Sequence, residues 1–176
     1  MSSTQSPLPP VRRVVTGHNS AGKSTVLMDK VQPARFYTPE SVAPLYDLHY
    51  TSEFPAEIDT EISKGKWVDE IEEHPTIASD IGSTFRCWDM CPGDVSPLHR
   101  TVTLDYVIVA KGSVTLELEE GQRIILNEGD TVVQRGTMHT WRNETTEWAR
   151  VYFVMLGAKP VEIDGRALAE EFRKAE

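Results

Sequence analysis

Residues Pro92–Asn143 read PGDVSPLHRTVTLDYVIVAKGSVTLELEEGQRIILNEGDTVVQRGTMHTWRN. His99 and His139 stand forty residues apart in this stretch, and a Gly-Asp pair precedes each, Gly93-Asp94 and Gly129-Asp130. Gly-Asp pairs favour turns, and the β-branched runs around them favour strands. Short strands are predicted over 107–110, 114–118, 123–126, 131–134, 139–142 and 149–156. The alternation of Val114, Leu116 and Leu118 against Thr115, Glu117 and Glu119 gives one of them a buried and a wet face. Many short strands with no helical period between them predict an all-β chain folded as an antiparallel barrel or jelly roll.

Strand alternation supplies the candidate site. If His99 points inward then so does Thr101, Asp105 enters from the same segment, and His139 arrives from a distant strand. Trp141, two residues after His139, shares its face and is expected to form a pocket wall. Upstream, Phe85, Cys87 and Asp89 alternate with Arg86, Trp88 and Met90, so one of these sets faces the interior. Arg86, Trp88, Thr101 and Trp141, together with Tyr152, which adds aromatic surface beside the motif residues, are candidates to touch a substrate, around His139, His99 and Asp105 as candidate catalytic groups.

The spacing carries more. Gly93, His99, Thr101, Asp105 and Gly112 fall on the fixed positions of the first cupin motif, G-x5-H-x-H-x3-E-x6-G, with Thr101 at the second histidine and Asp105 at the glutamate. Gly129, Gly136, His139 and Asn143 match the second motif, G-x5-P-x-G-x2-H-x3-N, with Gln134 at the proline position and one residue fewer before it. The chain resembles a single-domain cupin of the small bacterial and fungal kind with an H-R-T-x3-D-Y and Q-R-G-T-x-H-x-W-R-N signature.

That resemblance implies a double-stranded jelly roll and a homodimer. It also implies a divalent metal (Fe, Mn or Zn) on His99, Asp105 and His139, the composition of a two-histidine, one-carboxylate triad with open positions. Two other readings stand beside the metal. The histidines could be hydrogen-bonded core residues, or His139 could serve as a general base with Asp105 fixing its tautomer or acting as the second group. The resemblance points to a small-molecule enzyme of secondary metabolism, a lyase or isomerase that dehydrates or decarboxylates an oxygenated metabolite, with an anionic or a polyketide-like one both open. A non-heme iron oxygenase and a non-catalytic metabolite-binding module are the alternatives.

Composition sets outer limits. A chain of 176 residues, 39% hydrophobic and 26% charged, is expected to form one globular domain over 11–176, with its barrel at about 81–158 and a flexible Ser- and Pro-rich start over 1–10. A net charge of −9 argues against nucleic acid or an anionic membrane as partner. Cys87 and Cys91 have neither redox nor zinc spacing, and with no apolar leader segment a cytoplasmic protein with reduced thiols is expected.

The remaining segments are read locally. Gly17–Ser24, GHNSAGKS, matches the phosphate-loop pattern letter for letter. The nine residues before Pro33 leave no room for the helix that pattern needs, so a hairpin and no nucleotide cofactor are expected. Residues 35–62 read as an extended arm, and 64–79 as a solvated acidic loop in which His74 has no catalytic role. The tail Gly165–Glu176, GRALAEEFRKAE, is predicted as one short helix outside the barrel, with Leu168 and Phe172 four apart as its apolar edge.

Overall fold

The computed structural model describes residues 6–58, 69–73, 78 and 81–173. His74 and most of the acidic loop lie outside them. Among the described residues, the first strands, β1 (Arg12–His18) and β2 (Ser24–Val31), pair with each other and with no other strand. Their turn is closed by the Asn19 side chain, which accepts from the Ala21 and Lys23 amides. The phosphate-loop lookalike is thus the tip of an antiparallel hairpin rather than a strand-to-helix turn.

Two five-stranded antiparallel sheets follow. One runs in the order β3 (Leu45–Thr51), β4 (Ser83–Met90), β11 (Ala149–Gly157), β6 (Thr103–Lys111), β9 (Thr131–Arg135). The other runs β14 (Glu171–Arg173), β5 (Leu98–Arg100), β10 (His139–Arg142), β7 (Ser113–Leu118), β8 (Arg123–Asn127). Between them lies the apolar core, with Leu45, Trp88, Met90, Val107, Val109, Val114, Leu116, Trp141 and Val151 all buried. This is the expected jelly roll, and every strand predicted between 107 and 156 is present. The predicted arm over 35–62 contributes β3 as an edge strand. No helix of the described residues is long and apolar enough to cross a membrane.

Strand β4 is buried on both faces. Its Trp88 and Met90 enter the core between the sheets, while Cys87 packs with Val11, Tyr46 and Leu48 in a second apolar cluster behind the sheet. Burial pushes the Cys87 thiol up to about 12, which leaves it a protonated packing group.

Gly112 links β6 to β7 at φ 77°, and a Cβ there would come within 2.8 Å of the Trp148 carbonyl oxygen. The motif glycine is required both by its backbone conformation and by this close approach.

The carboxyl-terminal tail corrects the sequence reading. Asp164 and Gly165 both take positive φ, 49° and 73°, and join β12 (Glu162–Ile163) to β13 (Arg166–Ala167) as a two-residue hairpin. Asp-Gly flanked by short β-formers is a strong hairpin signal, and it overrides the weak i,i+4 apolar pair that pointed to a helix. The chain then returns as β14, pairing with β5 so that Phe172 stands opposite His99. Rather than lying outside the barrel, the tail forms one of its walls.

Candidate functional site

Register places the two histidines side by side. His139 on β10 is the direct cross-strand partner of His99 on β5. Their ring centroids are 4.2 Å apart, and the His99 ring stacks on Phe172 at 5.5 Å. His139 is fully enclosed, while His99 is half-buried.

Each ring is oriented by its own loop. His99 Nδ1 lies 2.9 Å from the Pro97 carbonyl oxygen, and His139 Nδ1 lies 2.8 Å from that of Thr137. A carbonyl oxygen only accepts, so each Nδ1 donates a proton and each Nε2 is left with a lone pair. Desolvation lowers both ionisations. For His139, burial and the neighbouring His99 outweigh the Thr137 carbonyl and bring the value down to about 3; for His99, burial outweighs the opposing pull of the Pro97 carbonyl and of Glu170. Both imidazoles are therefore neutral at physiological pH.

The carboxylate comes from the facing sheet. Asp105 on β6 stands opposite Gln134 on β9, and the Gln134 amide donates to Asp105 Oδ2 at 2.8 Å. The same amide nitrogen lies 3.2 Å from His139 Nε2 and donates to its lone pair. The His99–His139 pair of one sheet is thereby joined to Asp105 of the other through a single amide. Burial raises the Asp105 ionisation, against hydrogen bonds from Thr103 and Gln134 that lower it. Gln134 was noted in the sequence only as a departure from the proline of the second motif. Nothing in local periodicity marks it, since its role depends on the β6–β9 register.

The other candidates divide. Thr101 is buried, and its hydroxyl bonds that of Thr103 at 2.7 Å. Trp141 shares the inner face with His139, its ring 6.3 Å away, as alternation predicted. Trp88 also faces inward, with Tyr37 edge-on at 6.4 Å. Arg86 is buried on the same β4 face, its Nε 2.8 Å from Asp47. Tyr152 requires a correction. Its strand neighbours Val151 and Phe153 pack in the inner core, whereas Tyr152 packs behind the sheet with Cys87 and with Phe85, ring centroids 5.9 Å apart. It does not line the interior, because alternation along β11 sends it to the other side.

The arginines that cluster beside the motifs in sequence are mostly occupied. Arg100 bonds the Ala169 carbonyl and Glu171, anchoring the carboxyl-terminal strand. Arg142 bonds Glu117, and Arg150 bonds Asp89. Asn143, fully buried, ties Met90 and Glu147 carbonyls together and caps Thr145, so the last residue of the second motif has a structural task.

A divalent cation held by His99, Asp105 and His139 does not fit this arrangement. Two imidazole lone pairs and a carboxylate are suitable donors. The Gln134 amide, however, points N–H groups at both Asp105 and His139, toward the place a shared cation would take. Among the described residues, no three His, Cys, Asp or Glu side chains surround a common point.

A cavity of about 310 Å³ bordered by Ala78, Val102, Thr103 and Glu170 adjoins the site. Thr103 borders both the cavity and Asp105, and the Glu170 charge acts on His99. A second cavity, about 220 Å³, lies among Lys30, Arg35, Asp47 and Asp69 on the amino-terminal side and touches none of the motif residues.

Comparison with known proteins agrees with this fold. Residues 87–155 match the family model described as a cupin domain. The chain is 32% identical over 163 residues to the oryzines biosynthesis cluster protein J of Aspergillus oryzae, covering 92% of this chain and 91% of that one. It is 34% identical over 164 residues to the cupin-domain-containing oxidoreductase virC of Hypocrea virens, covering 90% and 83%. A shorter match, 48% identical over 95 residues, covers 53% of this chain and half of the phomopsin biosynthesis cluster protein C' of Diaporthe leptostromiformis. Matched motifs, two facing antiparallel sheets and relatives aligned over nearly the whole length agree: the chain belongs to the cupin-domain family.

Proposed function

We propose that this protein is a small-molecule enzyme of secondary metabolism that eliminates water from a hydroxylated carbonyl compound by proton transfer. The observation that carries the reading is the contact chain His99–His139–Gln134–Asp105 across the two sheets, with histidine ionisation pushed down and carboxyl ionisation pushed up. Burial thus favours a neutral imidazole with an open lone pair at one end of the chain and a protonated carboxyl at the other, which are a base and an acid. The relatives named for oryzine and phomopsin biosynthesis support the metabolic setting.

We assign the base to His99 rather than His139. The His139 lone pair is taken by the Gln134 amide and its ionisation lies near 3, far from an effective base at neutral pH. The His99 Nε2 lone pair takes the proton from the carbon next to the carbonyl. The C–H electrons form the double bond, the C–O bond at the next carbon breaks, and the departing hydroxyl takes the proton of the Asp105 carboxyl group. The products are the unsaturated carbonyl compound and water. Transfer of the proton from His99 back to Asp105 restores the starting state.

The test is a panel of β-hydroxycarbonyl compounds incubated under argon, with loss of water followed by mass spectrometry. Turnover under argon is expected. Turnover that requires air and consumes oxygen would contradict the proposal and establish a second reading, oxidation. That reading is supported by relatives bearing the name cupin-domain-containing oxidoreductase.

A further inference from the structure

Asp105 Oδ1, Gln134 Oε1 and Trp141 Nε1 are among the polar atoms buried between the sheets without a hydrogen-bond partner among the described residues. Their side chains are only 2%, 4% and 2% exposed. They are linked in space, since Gln134 touches both Asp105 and His139, and the Trp141 ring lies 6.3 Å from that of His139. A buried unpaired polar group costs about 1–3 kcal/mol, and native proteins leave few of them. Two on one hydrogen-bonded pair, with a third on the ring beside His139, outline something that would pair with them.

That outline is specific. The indole nitrogen donates, the Gln134 oxygen accepts, and Asp105 Oδ1 carries the proton that the elimination delivers, so the complement is a hydroxyl group that donates to Gln134 and accepts from Asp105, with a carbonyl oxygen for the Trp141 indole. It is also uncharged. A carboxylate would meet the Gln134 acceptor oxygen, and the guanidinium on the inner face, that of Arg86, is already engaged by Asp47 at 2.8 Å. The Arg150 guanidinium is bound by Asp89 and stacks on Tyr46, in the cluster behind the sheet. The cavity of about 310 Å³ bordered by Thr103, a hydrogen-bond partner of Asp105, has room for a small metabolite.

We propose that Asp105, Gln134 and Trp141 form a recognition site for an uncharged β-hydroxycarbonyl group, with Gln134 as the specificity-determining residue. This rests on the proton-transfer reading and narrows it to an uncharged substrate, where the sequence left an anionic one open. Gln134 reads the hydroxyl through Oε1 while its amide nitrogen holds Asp105 and His139 in place.

Binding can be read without turnover. The ¹⁵N-labelled protein is titrated at pH 7 with 4-hydroxy-2-butanone and, separately, with 3-hydroxybutanoate, and the Trp141 indole signal, assigned by its loss in Trp141→Phe, is followed. The ketone is expected to move that signal, and the carboxylate to leave it unmoved. In Gln134→Leu, with amide dispersion checking the fold, ketone affinity is expected to fall about tenfold, the loss of one hydrogen bond. The proposal is overturned if the carboxylate binds as tightly as the ketone, if the ketone leaves the indole signal unmoved, or if Gln134→Leu binds the ketone unchanged. Binding of the ketone without conversion of any hydroxycarbonyl compound would instead leave the recognition site standing and remove the elimination chemistry.

Discussion

Asp89→Ala is expected to destabilise the fold by about 3–5 kcal/mol, the cost of leaving a buried charge without its partner. Asp89 has no exposed surface, and β4–β11 register sets it directly opposite Arg150. Both carboxylate oxygens accept from that guanidinium, at 2.6 and 2.7 Å, and Oδ2 also accepts from Ser6 at 2.7 Å. The pairing holds the Arg150 ionisation above its ordinary value, so deleting the carboxylate strands a cation that cannot shed its proton. Urea denaturation of Asp89→Ala and of Asp89→Leu/Arg150→Met separates pair from packing. The double variant is expected to regain most of the loss, since apolar groups of similar volume replace a buried pair at little cost. A double variant as unstable as the single one would show that the cluster depends on the charges themselves.

His99→Gln is expected to lower kcat/KM for elimination by about 10²–10⁴-fold, the usual contribution of a positioned acid-base group. The fold should tolerate the change, because His99 is half-buried and its Nδ1 bonds a loop carbonyl. His139→Gln is the informative comparison. If His139 orients the site through Gln134, a side chain that still accepts from that amide should retain more activity than His99→Gln does. Steady-state rates at pH 7 decide between them, and equal losses in the two variants would contradict the assignment of His99 as base.

Much of this was legible in the sequence. The alternation Val114, Leu116, Leu118 and the Gly-Asp turns marked strands that the structure reproduces, and spacing alone brought His99, His139 and Asp105 into one interior. What escaped depended on partners far along the chain. Gln134 acquires its role only because β9 pairs with β6 in the register that sets it against Asp105. The tail was misread because its apolar pair, Leu168 and Phe172, satisfies helical spacing while Asp164-Gly165 turns the chain two residues earlier than a helix could begin. Tyr152 fell on the wrong side because motif proximity was allowed to outweigh alternation. The pairing of the arginines was not legible because their carboxylate partners, such as Asp47, Asp89 and Glu117, lie 25 to 61 residues away.

Neutral imidazoles have a consequence for acid stability. An unfolded chain protonates both histidines near pH 6.5, whereas the folded chain resists until lower pH. Stability is therefore full above about pH 6.5 and falls as the pH drops toward 3, the value to which burial brings His139. Asp105, raised in the fold, is more easily protonated there than in the unfolded chain and offsets part of the loss.

Long-range ¹H–¹⁵N correlation spectra of the histidine rings, recorded from pH 7 down to the edge of folding, test the arrangement between the sheets most directly. Both His99 and His139 are expected as the neutral Nδ1–H tautomer at pH 7, with His139 remaining neutral throughout the folded range. An Nε2–H tautomer at either ring, or a charged His139 at pH 6, would contradict the account.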